Sequence, residues 1–229
     1  MGFQGGNAFA SALDWWAEAG VDTLIDEAPR NWLARAAPVA VAAPDAPAEE
    51  ALPATLDAFV GWRTTAPDVP ERSWASQLIA PAGNVASGLF VLIDQPGDDE
   101  LFGPAEARLF DRMLAAIGRD RESAYFAPLS HARVIVPPSA EARARLGELA
   151  IRHIALAAPK VVLALGDAAS RALTGLGLAE ARGDIRVVNH STGNFSVVAS
   201  HHPRFLLDRP AMKAGSWADL QLLQGGLAS

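Results

Sequence analysis

The chain has 229 residues, half of them hydrophobic, with 19 Lys and Arg against 26 Asp and Glu, a net charge of −7 and a pI near 5.2. That length suits one good-sized domain plus an extension. The complete lack of cysteine excludes disulfides, thiolate metal sites and cysteine-ligated iron–sulfur clusters, and the acidic balance counts against strong non-specific nucleic-acid binding, which relies on Lys and Arg. No run approaches the roughly 18 apolar residues of a membrane span, so no membrane partner is expected. The first residues lack a basic stretch followed by an apolar core, so a signal peptide is not expected and the expected location is the cytoplasm.

Along the chain, residues 1–35 read as a helical extension. Phe9 to Gly20 has an amphipathic pattern with paired Trp15 and Trp16, and Asp22–Ile25 with Trp32 and Leu33 add a second short element. The extension is the candidate surface for a protein partner, although packing of the tryptophans explains them as well. Ala36 to Pro53, rich in Ala, Pro and acids without periodicity, reads as a linker. The globular pattern fills residues 54–229. Leu56, Phe59, Val60 and Trp62 predict a short helix. Strands then alternate with helices: Leu89–Ile93, a helix over Ala105–Ile117, Ala124–Ala127, a helix over Ala140–Leu156, Val161–Leu165, a helix over Ala168–Leu173 with Asp167 as its N-cap, Ser196–Ser200, and a last helix over Lys213–Leu223. Alternation of this kind predicts an α/β fold, a three-layer α/β/α sandwich around a central four-stranded parallel sheet.

Two strand ends carry the candidate chemistry. The run Leu89–Ile93 ends in Asp94-Gln95-Pro96-Gly97, an acid at a carboxyl edge followed by a sharp turn. Phe195–Ala199 leads into His201-His202-Pro203-Arg204-Phe205-Leu206-Leu207, which sets two imidazoles at the same kind of edge, where open α/β sheets place their ligands. Pro203 is expected to stop the strand and stiffen the turn.

These two segments, in this order, resemble the two motifs of the uracil-DNA glycosylase superfamily, and within it the bacterial and archaeal branch that usually carries an iron–sulfur cluster. That branch opens its site with a Gly-Glu-Ala-Pro-Gly-type turn, here Ile93-Asp94-Gln95-Pro96-Gly97. It closes the site with a His-Pro-Ser-type turn, here His202-Pro203-Arg204. The segments Phe110–Gly118, Asp120–Tyr125, Ala158–Ala169 and Arg209–Leu220 resemble the elements between and after them, so the likeness covers roughly residues 85–224. The resemblance implies hydrolysis of the N-glycosidic bond of uracil or another damaged base in DNA. In that reaction Asp94 would hold or activate water and offset the positive sugar, and His202 would donate a hydrogen bond to the base oxygen. Phe102 or Phe126 would stack on an extruded base. Gln95, Pro96 and Gly97 would line the base pocket, with His201 and Arg204 beside it. Arg209 and Lys213 are further cations near the site, and Arg133, Arg143, Arg145 and Arg152 form a second set.

The departures from that pattern are specific. The acid is Asp94 where the family usually has Glu. The position of the base-reading Asn is Pro128, which carries no side-chain donor or acceptor. The cluster cysteines are missing, so no cofactor is expected. A catalytically inactive member that binds nucleic acid or protein is therefore the alternative reading. A metal-dependent hydrolase built on Asp94, Asp98, Asp99, Glu100 and His201 or His202 is a further rival, on the ground that oxygen and imidazole ligands suit it. The predicted site holds no metal. Neither a Gly-x-Gly-x-x-Gly after a strand nor a Gly-x-Ser-x-Gly elbow occurs.

Overall fold

A computed structural model describes residues 14–16, 18–19, 52–190 and 193–228. The chain forms two units, Met1–Glu50 and Ala51–Ser229. In the first, Asp14, Trp15, Trp16 and Glu18 are helical, and the two exposed tryptophan rings meet edge to face with centroids 5.5 Å apart. The elements expected at Asp22–Ile25 and Trp32–Leu33, and the linker from Ala36 to Ala51, lie outside the described residues.

The second unit runs α1 (Leu56–Thr65), β1 (Ala82–Gly83), β2 (Leu89–Ile93), α2 (Pro104–Ala116), β3 (Tyr125–Pro128), α3 (Ala140–Ala157), β4 (Val161–Leu165), α4 (Asp167–Thr174), α5 (Leu178–Ala181), β5 (Ile185–His190), β6 (Gly193–Ser200), α6 (Pro203–Asp208) and α7 (Lys213–Ala228). The sheet order is β1-β3-β2-β4-β6-β5. The four inner strands are parallel, and β1 and β5 are antiparallel to their neighbours. The sheet is thus six-stranded and mixed, a correction to the four-stranded parallel sheet expected from sequence. The two added strands lie at the edges. One has only two residues, and the other has no continuous apolar run because one of its faces is wet.

β2, β3 and β4 are buried throughout, as is β6 from Val197 to Ser200, because both faces of the sheet are covered there. On one face Val91, Ile93, Leu163, Leu165 and Val198 pack with Phe110 and Leu114 of α2 and Leu220 and Leu223 of α7. On the other, Phe90, Leu92, Ala127, Val162 and Val197 pack with Leu146, Ala150 and Ile154 of α3 and Leu173 of α4. Helix α2 starts where expected, with Pro104 at its first turn and the Gly103 N–H donating to Glu106 Oε2 at 3.3 Å. Helix α3 ends at Ala158, which takes the left-handed conformation (φ 46°) just before Pro159. Asp167 is the first residue of α4, with Gly166 as the N-cap, and its carboxylate accepts from the Leu178 N–H at 2.9 Å. Pro203 does more than stop a strand, since it opens α6 with His202 as the N-cap.

A buried polar cluster ties the segment before the sheet to the end of β3. Arg63 and Glu71 are almost wholly buried and form an ion pair, with Arg63 Nη1 donating to Glu71 Oε2 at 2.8 Å. Glu71 Oε1 also accepts from the His131 N–H at 2.9 Å, and His131 Nδ1 donates to the Ile79 carbonyl at 2.8 Å. Burial and the Arg63 guanidinium hold the His131 ring neutral, well below the ordinary imidazole range. Removing one member of a buried pair strands the other charge, so Glu71→Ala is expected to destabilise the domain by about 3–5 kcal/mol in urea melts. A loss below about 1 kcal/mol would mean the cluster is not structural.

Candidate functional site

Register places the site. Ile93 pairs with Leu165, and Leu165 with Ser200, so three parallel strands end together. The next residues, Asp94, Gly166 and His201, lie side by side at the carboxyl edge. The Gly166 N–H donates to the Ser200 carbonyl at 3.0 Å and the Ser130 N–H to the Asp94 carbonyl at 3.2 Å, which extends the ladder past the strands.

Asp94 points at the first turn of α4, where its Oδ1 accepts from the Ala169 N–H at 2.5 Å. Only glycine fits beside it. A Cβ on Gly166 would lie 2.1 Å from Asp94 Oδ2, and Gly166 has a φ of +109°. Burial raises the Asp94 carboxyl from 3.8 to about 6, against the opposing pull of the helix N–H groups. The carboxylate is ionised at neutral pH and sits near its titration midpoint in mild acid.

His202 is fixed from the other side. The Arg204 N–H donates to its Nδ1 at 3.2 Å, which leaves the ring proton on Nε2. Nε2 is buried and has no hydrogen-bond partner among the described residues. Burial lowers the ring to about 4, so it is neutral at physiological pH. Asp94, Gln95, His202, Arg204, Phe205 and Asp208 line one cleft of about 250 Å³. That is below the range of about 300–1,000 Å³ typical of drug-sized ligands, and suits one small ring system.

The other predicted residues have distinct places. Gln95 reaches the cleft, and its Oε1 accepts from the Val134 N–H at 2.8 Å. Pro96 and Gly97 are buried in the turn, where the Gly97 N–H donates to the Glu100 carbonyl at 2.8 Å. Phe102 is only 3 % exposed; its ring stacks on Phe110 at 5.1 Å and lies 5.8 Å from His202, so it supports the histidine from beneath. Phe126 is buried edge-on to Phe102 and Phe110. Pro128 is buried at the end of β3, paired with Ile93. His201 turns away from His202: its ring stacks on Phe205 at 4.8 Å, and Nδ1 lies 3.3 Å from Ser216 Oγ of α7. Arg204, which also lines the cleft, donates from Nε to Glu106 Oε1 at 2.7 Å.

Glu106, Phe205, Asp208 and Gly166 were missed by sequence reasoning. The signal for Gly166 was present, a glycine between an apolar strand and a helix. No sequence signal pairs Glu106 with Arg204 across 98 positions. Asp98, Asp99 and Glu100 are exposed, Asp98 pairs with Arg133, and no three His, Asp or Glu side chains converge among the described residues. No helix among these residues is long and apolar enough to cross a membrane.

The fold is a three-layer α/β/α domain in which an acid and a neutral histidine line one small cleft at the sheet's carboxyl edge. The family model of the Uracil DNA glycosylase superfamily matches residues 80–221, and the chain belongs to that superfamily. Comparison with curated proteins finds no match.

The raised Asp94 pKa predicts a stability effect. As pH climbs from about 4 to about 6, folded Asp94 ionises less readily than unfolded Asp94, and this costs stability. Asp94→Asn is expected to raise the melting temperature at pH 8, with the gain shrinking towards pH 4. Gly166→Ala is expected to lower stability by about 2 kcal/mol or more, from its strained φ and its collision with Asp94. An unchanged Gly166→Ala melt would place Asp94 elsewhere.

Proposed function

We propose that this chain is a DNA glycosylase that hydrolyses the N-glycosidic bond of uracil or another deaminated base, as a divergent member of the iron–sulfur-bearing branch that works without the cluster. The branch assignment rests on the turns Asp94–Gly97 and His202–Leu207. The observation that carries the activity is the buried, unpartnered His202 Nε2 on the wall it shares with Asp94.

In this reading the extruded base enters the cleft with a carbonyl oxygen towards His202 Nε2. As the glycosidic bond breaks, its electron pair moves onto the base and the sugar becomes oxocarbenium-like. The neutral imidazole donates a hydrogen bond to the oxygen that gains charge, and keeps its proton. The Asp94 carboxylate orients a water for attack on the anomeric carbon, accepts its proton and offsets the sugar's positive charge. Phe102 holds the imidazole plane, and Glu106 holds Arg204 at the rim. A cytoplasmic location, with the N-terminal extension as a protein-docking element, belongs to the same proposal. Pro128 supports a second reading. It offers no side-chain amide to a base, which suits a binding module that has given up turnover.

Single- and double-stranded oligonucleotides carrying uracil or hypoxanthine, followed by alkaline cleavage of abasic sites, separate the two. Wild-type protein is expected to cut. Asp94→Asn is expected to lose about 10²–10⁴-fold and His202→Leu about 10²–10³-fold. Activity should rise with pH through about 6 as Asp94 ionises and then level off, with no fall from His202, which titrates near 4. No cutting of any substrate by folded protein would establish the binding module instead.

A further inference from the structure

The His201 ring is buried and held at three points. Its Nδ1 lies 3.3 Å from Ser216 Oγ, its Nε2 lies 3.5 Å from Arg182 Nη1, and its face stacks on Phe205 at 4.8 Å with the planes within 7°. Arg182, the C-cap of α5, is itself fixed. Its Nε donates to Asp219 Oδ2 at 2.8 Å, and the same oxygen accepts from Ser200 Oγ at 2.8 Å. Ser216 and Asp219 stand three residues apart on α7 and are both buried, so they share one polar face of that helix. The Arg182 guanidinium also passes close to Gly215 of α7, where a Cβ would lie 2.8 Å from its Nη2. A guanidinium only donates. His201 Nε2 is therefore the bare nitrogen, and the ring proton sits on Nδ1, facing Ser216. Burial and Arg182 keep the ring below the ordinary imidazole range, against the pull of Asp219. His202 carries its proton on Nε2, because its Nδ1 accepts from the Arg204 N–H. Two adjacent imidazoles thus hold opposite tautomers.

We propose that His201 is a positioning residue, oriented by Arg182 and Ser216, that fixes the Phe205 ring in the wall of the cleft. Its kinetic consequence rests on the glycosylase reading. His201 makes no contact with the ligand in this proposal and acts through Phe205, which lines the cleft and is 37 % exposed. An apolar ring would fill the same space beneath Phe205, but nothing would set its rotation. Polar contacts at both ring nitrogens leave His201 one orientation, and the flat stack passes that plane on to Phe205. The anchors come from α5 and α7, so a wall residue on the six-residue helix α6 is steadied by two other helices. Satisfied buried polar networks rigidify what they hold, and this one meets the cleft at the face of a single ring.

Two variants test it. His201→Phe keeps a flat ring against Phe205 and loses both polar anchors. Gly215→Ala keeps every polar group and displaces the Arg182 guanidinium. Position 215 is exposed and Ala is the better helix former, so the Gly215→Ala melting temperature should not fall. In both variants KM for a uracil-bearing strand is expected to rise about five- to tenfold with kcat within about twofold, because Asp94 and His202 are untouched and only the fit of the bound base changes. A second readout needs no turnover. Nitrogen-15 NMR of the imidazoles should find the wild-type His201 proton on Nδ1 and an Nε2–H form in Gly215→Ala, and the Phe205 ring-proton signals should shift in both variants. Unchanged KM in both, or a fall in kcat with KM unchanged, would overturn the positioning role and leave the glycosylase reading standing. A wild-type His201 protonated on Nε2, or Phe205 signals that stay put in both variants, would overturn it too. No cutting by wild type, with Phe205 signals that move as expected, would sink the glycosylase reading and keep the role of His201.

Discussion

Everything at the site depends on three parallel strands ending level with one another. Because Ile93, Leu165 and Ser200 share one register line, the chain leaves the sheet at three adjacent points. Each exit then takes a different path. Asp94 turns into an anchored loop, Gly166 turns at once into α4, and His201-His202 turn into α6. A slip of one residue in any of the three would exchange the faces of its strand and bury Asp94 or expose Leu165. The double-sided apolar core makes such a slip expensive, so the precision of the edge follows from the packing beneath it. The absence of a Cβ at Gly166 is the local condition that lets the Asp94 carboxylate reach the first turn of α4.

The electrostatics of the cleft follow from partial burial. Desolvation pushes Asp94 up and His202 down, so both groups are drawn towards neutrality from opposite sides. The helix N–H groups keep Asp94 from rising further, which leaves an anion at neutral pH that is less stable than an exposed carboxylate. At His202 the Glu106 carboxylate opposes the fall only in part; Nδ1 is spent on the α6 cap and Nε2–H has no partner among the described residues. The result is an anion beside a neutral donor. That combination suits a reaction in which positive charge grows on one side of a bond and negative charge on the other. Arg204 lines the same cleft, with its guanidinium paired to Glu106.

Residues 52–79 lie outside the family match yet belong to the same unit. Through the Arg63–Glu71 pair and the His131 backbone they brace the chain just after β3, the segment that continues into the loop before α3. Gln95 braces the same loop from the cleft side. The loop after β3, which carries the exposed Ile135 and Val136, therefore receives support from two directions.

The sequence by itself determined the class of fold, the four inner strands and the two motifs. Leu89–Ile93 and Val161–Leu165 are unbroken apolar runs that only a doubly covered strand explains, and Asp94 and His202 abut such runs directly. The edge strands were not legible, because a two-residue strand has no period and β5 keeps one wet face. The roles of the neighbours were also hidden. Phe102 reads as a free aromatic in a loop, and only the tertiary structure sends it under His202. Arg204 reads as a free cation, and only the fold brings Glu106 to it from 98 residues away. Strand propensity and motif order are local properties of the chain. Which side chain is buried, paired or left open is decided by contacts between segments that the sequence keeps far apart.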